Sequence, residues 1–352
     1  MKNNPLFRPR TLLVLAAGYA IYTAIKKSNE KIRINGIDYG DQFTYVIGHK
    51  SPDADSVGSA IAYAKLLNEL GIKAKAVTAG PLNNETKYFL EKYELPVPEI
   101  MEEAQGKQFV LVDHATYLQA INGMKDARVL SVIDHHKECD FDNKEVPFMK
   151  LTSTGATASL IHQLFGEYGI TIDKDTARIL LMAILSDTKN LKKVGTNYSD
   201  SSAYRHLLPI AEIEDPDSVY TQMKEASMVY EGLSDRQILH SDLKIYETKG
   251  VKYCIAMARG KNHDEMISLI DRMYDEAVSE YDEMGLDYVF LKVKDSETGK
   301  MYMRAYGKDA VELLDNIYFN YDGSKYFVFD VSLSRKMNLV PMIDLAIIER
   351  NN

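Results

Sequence analysis

Four stretches of this chain place carboxylates and imidazoles where apolar runs end. Asp134-His135-His136 closes the run Val129–Ile133, and Gly48-His49-Lys50-Ser51-Pro52-Asp53-Ala54-Asp55 follows Thr44–Ile47. Asp113-His114 follows Phe109–Val112, and Asp187 follows Ala177–Leu185, which is apolar except for Arg178. Carboxylates mixed with neutral imidazoles form a donor set for divalent metal. Asp53, Asp55, Asp113 and Asp187 would supply the negative charge to balance two divalent cations, with His49 and His135 as nitrogen ligands. Such mixed ligation suits Mn²⁺, with Co²⁺, Zn²⁺ or Mg²⁺ as competitors. Two ions about 3.5–4 Å apart clamp a bridging water, lower its pKa and neutralise phosphate oxygens during in-line attack. Phosphoryl transfer needs little more than positioning and charge compensation. Taken singly each motif is weak, because a His at a strand end is usually structural and an Asp there usually caps a turn or helix. Asp187 adds an independent reason: a carboxylate buried behind that apolar run, without a cation, would cost several kcal/mol or stay protonated.

The elements that must position these residues are legible as alternation. The β-branched runs before His49, Asp113 and Asp134 read as buried strands, and ligand sites of open α/β sheets lie beyond such strand ends. Helical spacing is expected over Ser56–Leu70, Asn84–Tyr93, Leu118–Met124 and Ala156–Tyr168, the last capped from Thr152–Gly155. Asp175–Leu185 is apolar nearly all round and so should be a buried helix. Further helices are expected near Ser201–Ile213 and Asp217–Tyr230, and strands at Ala74–Thr78 and Phe148–Leu151. This pattern favours a parallel sheet with helices on both faces. Beyond a linker at 231–241 the pattern becomes α+β: strands Lys252–Ala258, Tyr288–Lys294, Met301–Tyr306 and Tyr326–Asp330, with helices Glu265–Met284 and Ala310–Tyr318. The expected organisation is an extension over 1–42, a metal-binding catalytic domain over 43–230 and a smaller substrate-binding domain over 242–352.

The 352 residues suffice for two domains with sizeable cores, and the formal net charge of −9 argues against nucleic-acid binding. A small anionic substrate remains compatible, since bound cations reverse the local field. The two cysteines, Cys139 and Cys254, form neither a zinc spacing nor a disulfide framework, which fits a reducing, cytoplasmic setting. Residues 11–25 are mostly apolar and flanked by Arg8, Arg10, Lys26 and Lys27. As a helix they would span roughly 22 Å against about 30 Å of bilayer hydrocarbon, which leaves an accessory helix, a weak membrane anchor or an export signal open. Asn35-Gly36 would turn a short hairpin within Lys31–Tyr39.

Over roughly residues 43–345 the chain resembles the DHH phosphoesterase superfamily, and within it the manganese-dependent (family II) inorganic pyrophosphatases. The resemblance rests on Gly48–Asp55, Val112-Asp113-His114, Asp134-His135-His136, Leu185-Ser186-Asp187-Thr188 and the C-terminal signature Ser334-Arg335-Lys336-Met337-Asn338-Leu339-Val340-Pro341 of the DHHA2 domain. It implies that His49, Asp53, Asp55, Asp113, His135 and Asp187 bind two Mn²⁺, with Co²⁺ or Mg²⁺ as substitutes, and that Asp113 bridges them. It implies that Asp134 orients its neighbours while His136 contacts substrate or donates a proton to the leaving phosphate. Lys244, Arg335 and Lys336 would hold phosphate from the second domain across a closing cleft, and the chain would form a homodimer through its first domain. The implied reaction is hydrolysis of diphosphate by a bridging hydroxide. Three departures stand out. Ser51 and Ala115 replace the family's usual asparagines, and Thr188–Gly195, with Lys192 and Lys193, is closer to the exopolyphosphatase and prune-like branch. His49 points back to the pyrophosphatases. Short polyphosphate as substrate is thus the nearest alternative, and a non-catalytic phosphate or nucleotide sensor is the alternative from another class.

Overall fold

A computed structural model describes residues 36–142, 144–318 and 323–350. The apolar segment 11–25 lies outside them, and so does most of the expected hairpin; from Gly36 to Phe43 the chain runs without strand pairing, burying Ile37 and Tyr39. Among the described residues no helix is long and apolar enough to cross a membrane.

The first domain is built on six strands: β1 (Thr44–Ile47), β2 (Ala74–Thr78), β3 (Glu99–Ile100), β4 (Gln108–Val112), β5 (Arg128–Asp134) and β6 (Phe148–Leu151). All pair in parallel in the order β3-β2-β1-β4-β5-β6. Strands of such a sheet are covered on both faces, which is why β4 is apolar apart from Gln108 and buried throughout. One face carries the helices: α1 (Ala54–Glu69), α2 (Asn84–Lys92), α3 (Thr157–Glu167), α4 (Lys174–Asp187), α5 (Tyr198–Ala211) and α6 (Pro216–Ala226). As its all-round apolarity requires, α4 is central, with Ile179–Leu185 entirely buried. Cover on the other face is lighter. The helix expected over Leu118–Met124 is instead two 3₁₀ turns, Tyr117–Gln119 and Met124–Asp126, because Gly123 adopts a left-handed φ of 72° between them. Loop residues Ala115, Ala120, Ile121, Phe141 and Val146 complete that core.

The expected linker 231–241 is half helix. α7 (Asp235–His240) is capped by Ser234 and packs against α8 (His263–Met284) of the second domain. The second sheet has the order β11-β10-β9-β8-β7, from β7 (Leu243–Thr248), β8 (Val251–Gly260), β9 (Tyr288–Asp295), β10 (Met301–Tyr306) and β11 (Phe327–Phe329). Only β8 and β9 run parallel, joined by the long crossover α8. The amphipathic α8 covers one face, and α9 (Ala310–Tyr318) and α10 (Val340–Arg350) cover the other. The Arg335-Lys336 signature lies on a π-helical turn, Arg335–Leu339, leading into α10.

Candidate metal centre and substrate cleft

In the parallel sheet the chain steps outward from β1 to β3 and then returns to lay β4 on the other side of β1. The crevice beyond the ends of β1 and β4 is therefore the topological switch point, where ligands collect in open α/β sheets. His49 lies two residues past β1, Asp113 directly past β4, and Asp134 ends β5. Asp53 is the N-cap of α1, accepting from the Ser56 N–H, and Asp55 stands in that helix's first turn. Gly48 is required by close approach: a Cβ there would lie 1.7 Å from Ser56 Oγ. Asp113 takes a left-handed φ of 61°, a strained conformation for a residue with a Cβ and one concentrated at functional sites.

All six residues expected to ligate metal converge. His49 Nε2 is 3.4 Å from Asp53 Oδ2 and 3.3 Å from Asp113 Oδ2. His135 Nε2 is 3.5 Å from both Asp113 Oδ1 and Asp187 Oδ2. Of the three donor groups that result, His49–Asp53–Asp113 and Asp55–His135–Asp187 lie on either side of Asp113, which presents one oxygen to each, and the third, Asp113–Asp134–His135–His136, adds the rest of the triplet. Gaps of this size are long for hydrogen bonds, yet near the spacing of about 3 Å expected of donors sharing one cation at metal–ligand distances of about 2.1 Å. Asp187 Oδ2 has no hydrogen-bond partner, an orphan acceptor that a cation would satisfy. The donor set therefore fits divalent metal. Asp187 is less enclosed than expected, with its side chain 25% exposed, because it is the last residue of α4 and Lys193 folds back to pair with it at 2.9 Å.

The electrostatics are those of crowded like charge. Burial first, and then neighbouring carboxylates, push Asp55 and Asp113 well above the usual carboxylate range. Burial also works to raise Asp53 and Asp187. Lys244 and His49 outweigh it at Asp53, and Lys193 and His135 hold Asp187 down at about 2. The two imidazoles of the Asp134 triplet are fixed differently. His135 Nδ1 faces the Thr154 carbonyl at 3.0 Å, so Nδ1 carries the proton and Nε2 is left for a ligand role. His136 Nδ1 donates to Asp134 Oδ1 at 2.8 Å, and the same oxygen accepts from the His136 backbone N–H at 3.1 Å. Burial lowers the His136 pKa to about 3 despite that partner.

Sequence reading missed the residues that hold this loop. Buried Asp200 accepts from the N–H groups of Gly155 (2.7 Å), Ala156 (3.2 Å) and Asn197 (2.8 Å) and from the Ser159 hydroxyl (2.6 Å). It thereby seats the segment whose Thr154 carbonyl sets the His135 tautomer, and no side chain caps α3 from Thr152–Gly155 as expected. The start of α3 is turned into the site instead: the Thr157 and Ala158 N–H groups donate to Asp55 at 2.6 and 2.9 Å. The capping box Asn197-x-x-Asp200 was the signal available in the sequence.

The second domain reaches across the crevice. Ser51, one of the departures from the family motif, donates its hydroxyl to the Leu243 carbonyl at 2.5 Å. Next in the chain, Lys244 places Nζ 3.3 Å from His49 Nε2 and 3.5 Å from Asp53 Oδ2. Lys336 is exposed and within electrostatic reach of Asp187, Asp113 and Lys193. Arg335 is turned into its own domain, bonded to Asp242 Oδ1 at 2.7 Å and to the carbonyls of Asp242 and Ile255 at 2.9 and 3.3 Å. Lys192 points away, 76% exposed and 4.0 Å from Asp217, so of the expected lysine pair only Lys193 faces the donor groups.

Residues 44–184 match the family model for the DHH family, N-terminal domain. An Archaeoglobus fulgidus protein named "Probable manganese-dependent inorganic pyrophosphatase" is 32% identical over 323 residues, covering 88% of this chain and 99% of that one. The "Manganese-dependent inorganic pyrophosphatase" of Methanothrix thermoacetophila is 38% identical over 209 residues, 59% of this chain and 67% of its own. The crystal structure of a candidate family II inorganic pyrophosphatase from Methanococcus jannaschii superposes with a TM-score of 0.76 at 26% identity, covering 87% of this chain and 99% of that one. Sequence, fold and donor set agree, and this chain belongs to the family of manganese-dependent inorganic pyrophosphatases.

Proposed function

We infer that this chain hydrolyses inorganic diphosphate to two phosphates with two Mn²⁺. The observation that carries the reading is Asp113 presenting one oxygen to each of two donor groups, opposite cationic side chains from a second domain. In this proposal His49, Asp53 and Asp113 hold one ion, and Asp55, His135 and Asp187, with Asp113 shared, hold the other. When bound, the ions supply a lowered water pKa and charge neutralisation on phosphate oxygens. Thr154 keeps His135 Nε2 available, and Asp134 aims His136 into the cleft. His136 is neutral in the free protein, and a multiply charged diphosphate against Nε2 favours its protonation. The proton so gained is then available to the leaving phosphate oxygen. Lys244 leaves His49 and Asp53 for a phosphate oxygen, Lys336 adds a point charge, and Arg335 turns its fork from Asp242 toward substrate. The catalytic domain is assigned to 43–230 and the substrate domain to 242–352, with 231–241 as the linker, whose α7 packs against α8 of the latter. The homodimer implied by the family is part of the same proposal, and sedimentation of the metal-loaded chain tests it.

The test is phosphate release by the Mn²⁺-loaded chain, comparing kcat/KM for diphosphate with that for tripolyphosphate and longer chains. A clear preference for diphosphate is expected. A preference for longer chains would make the protein an exopolyphosphatase, and no release from any phosphoanhydride would leave a phosphate sensor.

A further inference from the structure

Beyond the mouth of the cleft, the second sheet carries cations at adjoining positions. In the parallel pair β8–β9, Arg259 stands opposite Lys294 and Met257 opposite Lys292. Alternation along each strand puts all four side chains on one face. Like charges directly opposite one another destabilise a sheet unless something lies between them. Lys292 is only 8% exposed, and its ammonium meets the Leu333 carbonyl at 2.6 Å and Met257 Sδ at 3.6 Å. Burial first, then Arg335, Arg259 and Lys189, lower its pKa to about 8. Lys189 comes from the first domain, on a turn after α4 where Lys189, Asn190 and Leu191 have φ of 52°, 53° and 62°. It lies within electrostatic reach of Arg259 and Lys294 across the cleft. Neighbouring cations are matched: Lys193 by Asp187 at 2.9 Å, Arg335 by Asp242 at 2.7 Å and Lys224 by Glu85 at 2.8 Å. Among the described residues Lys189, Arg259, Lys292 and Lys294 have no carboxylate in ion-pair contact.

We propose that Lys189, Arg259, Lys292 and Lys294 form a second phosphate-group subsite, contributed by both domains, that holds an anion in addition to the two phosphates of the substrate. The ammonium groups and the guanidinium supply charge-assisted donors and no acceptor, the chemistry of a tetrahedral oxyanion. Lys193 and Lys336 continue the positive field from there to the metal centre. The anion is either the third phosphate of a longer chain or free orthophosphate. The assignment rests on diphosphate being the substrate of the adjoining site.

The test uses the full Mn²⁺-loaded chain and a R259Q/K294Q double variant, titrated calorimetrically with imidodiphosphate, diimidotriphosphate and orthophosphate. Both imido analogues resist hydrolysis. The double variant should bind diimidotriphosphate at least about tenfold more weakly, as expected for losing charge-assisted contacts, while imidodiphosphate affinity stays within about twofold. If orthophosphate added to the imidodiphosphate-saturated wild type binds, and that binding disappears in the variant, the subsite takes free phosphate. If only the triphosphate analogue is weakened, it takes the third phosphate of a chain. Unchanged affinities for all three ligands overturn the subsite, and so does an equal loss for both imido analogues. Should the double variant fail to fold, Lys294→Gln alone carries the same comparison. Diphosphate turnover by the wild type, assayed in parallel, tests the underlying reading separately: length-selective binding without turnover would keep the subsite and remove the substrate assignment.

Discussion

At the scale of single residues, the two sides of the cleft should fail differently. Asp187 offers an oxygen without a hydrogen-bond partner to the Asp55–His135 group, whereas Arg335 bonds only within its own domain and touches no donor atom of the centre. Asp187→Asn should therefore lose Mn²⁺ affinity and activity together, each by about a hundredfold or more, since an amide cannot replace the charge of a ligating carboxylate. Arg335→Ala should keep its metal while kcat/KM falls by about ten- to a hundredfold, the worth of one or two charge-assisted hydrogen bonds. Metal content by elemental analysis beside phosphate-release kinetics separates the two, and metal loss in Arg335→Ala would remove it from the phosphate clamp. The candidate residue types and their order were readable from sequence because each candidate cluster follows an apolar run. Their tautomers were not: Asp134 was expected to orient its neighbours, but which ring nitrogen it meets on His136, and that the Thr154 carbonyl meets His135, are seen only by contact.

At the scale of elements, the metal centre depends on two helices that contribute no ligand from their sequence motifs. Asp200 near the start of α5 gathers the loop before α3, and the first N–H groups of α3 then close on Asp55. Asp200→Ala leaves several buried donors without a partner and should cost about 2–4 kcal/mol in denaturant unfolding. It should also weaken Mn²⁺ binding by about ten- to a hundredfold, because His135 loses its orientation; normal Mn²⁺ affinity in a destabilised variant would show that the loop serves only the fold. The same helices meet at His162 of α3 and His206 of α5, whose Nε2 and Nδ1 lie 2.8 Å apart. Burial, and then His206, lower the His162 pKa to about 4. A base with a depressed folded pKa binds fewer protons in the folded than in the unfolded state, so its contribution is harmless above 6.5 and destabilising as pH falls from there toward 4. His162→Gln should accordingly lose less stability than wild type over that interval, by about 1–2 kcal/mol once part exposure is allowed for. Parallel unfolding curves for the two proteins at pH 7 and pH 5 measure it, and an identical pH dependence would refute it.

At the scale of the whole molecule, the crevice is closed by contacts that join residues nearly two hundred positions apart, Ser51 to Leu243 and Lys244 to His49 and Asp53. Among the described residues, the first to enter the core are the buried Ile37 and Tyr39. Removing residues 1–30 should leave kcat/KM for diphosphate within about twofold, since terminal segments matter to a domain only where they are tied into it. A collapse of activity on truncation would place that segment in the active assembly, and fractionating the full and shortened chains between membrane and soluble material would report on residues 11–25. By itself the sequence determined the parallel α/β domain, the ligand candidates and the two-domain plan, because hydrophobic periodicity and Asp/His clusters at strand ends are local signals. It misread Leu118–Met124 as one helix and gave no helix within the linker, where one left-handed glycine and one short capped helix decide the path. Only the tertiary structure decided that Asp200 holds the loop and that Lys193 rather than Lys192 faces the centre. Those outcomes depend on which side chains meet across the crevice, and strand order and domain closure set that meeting where residue spacing carries no record of it.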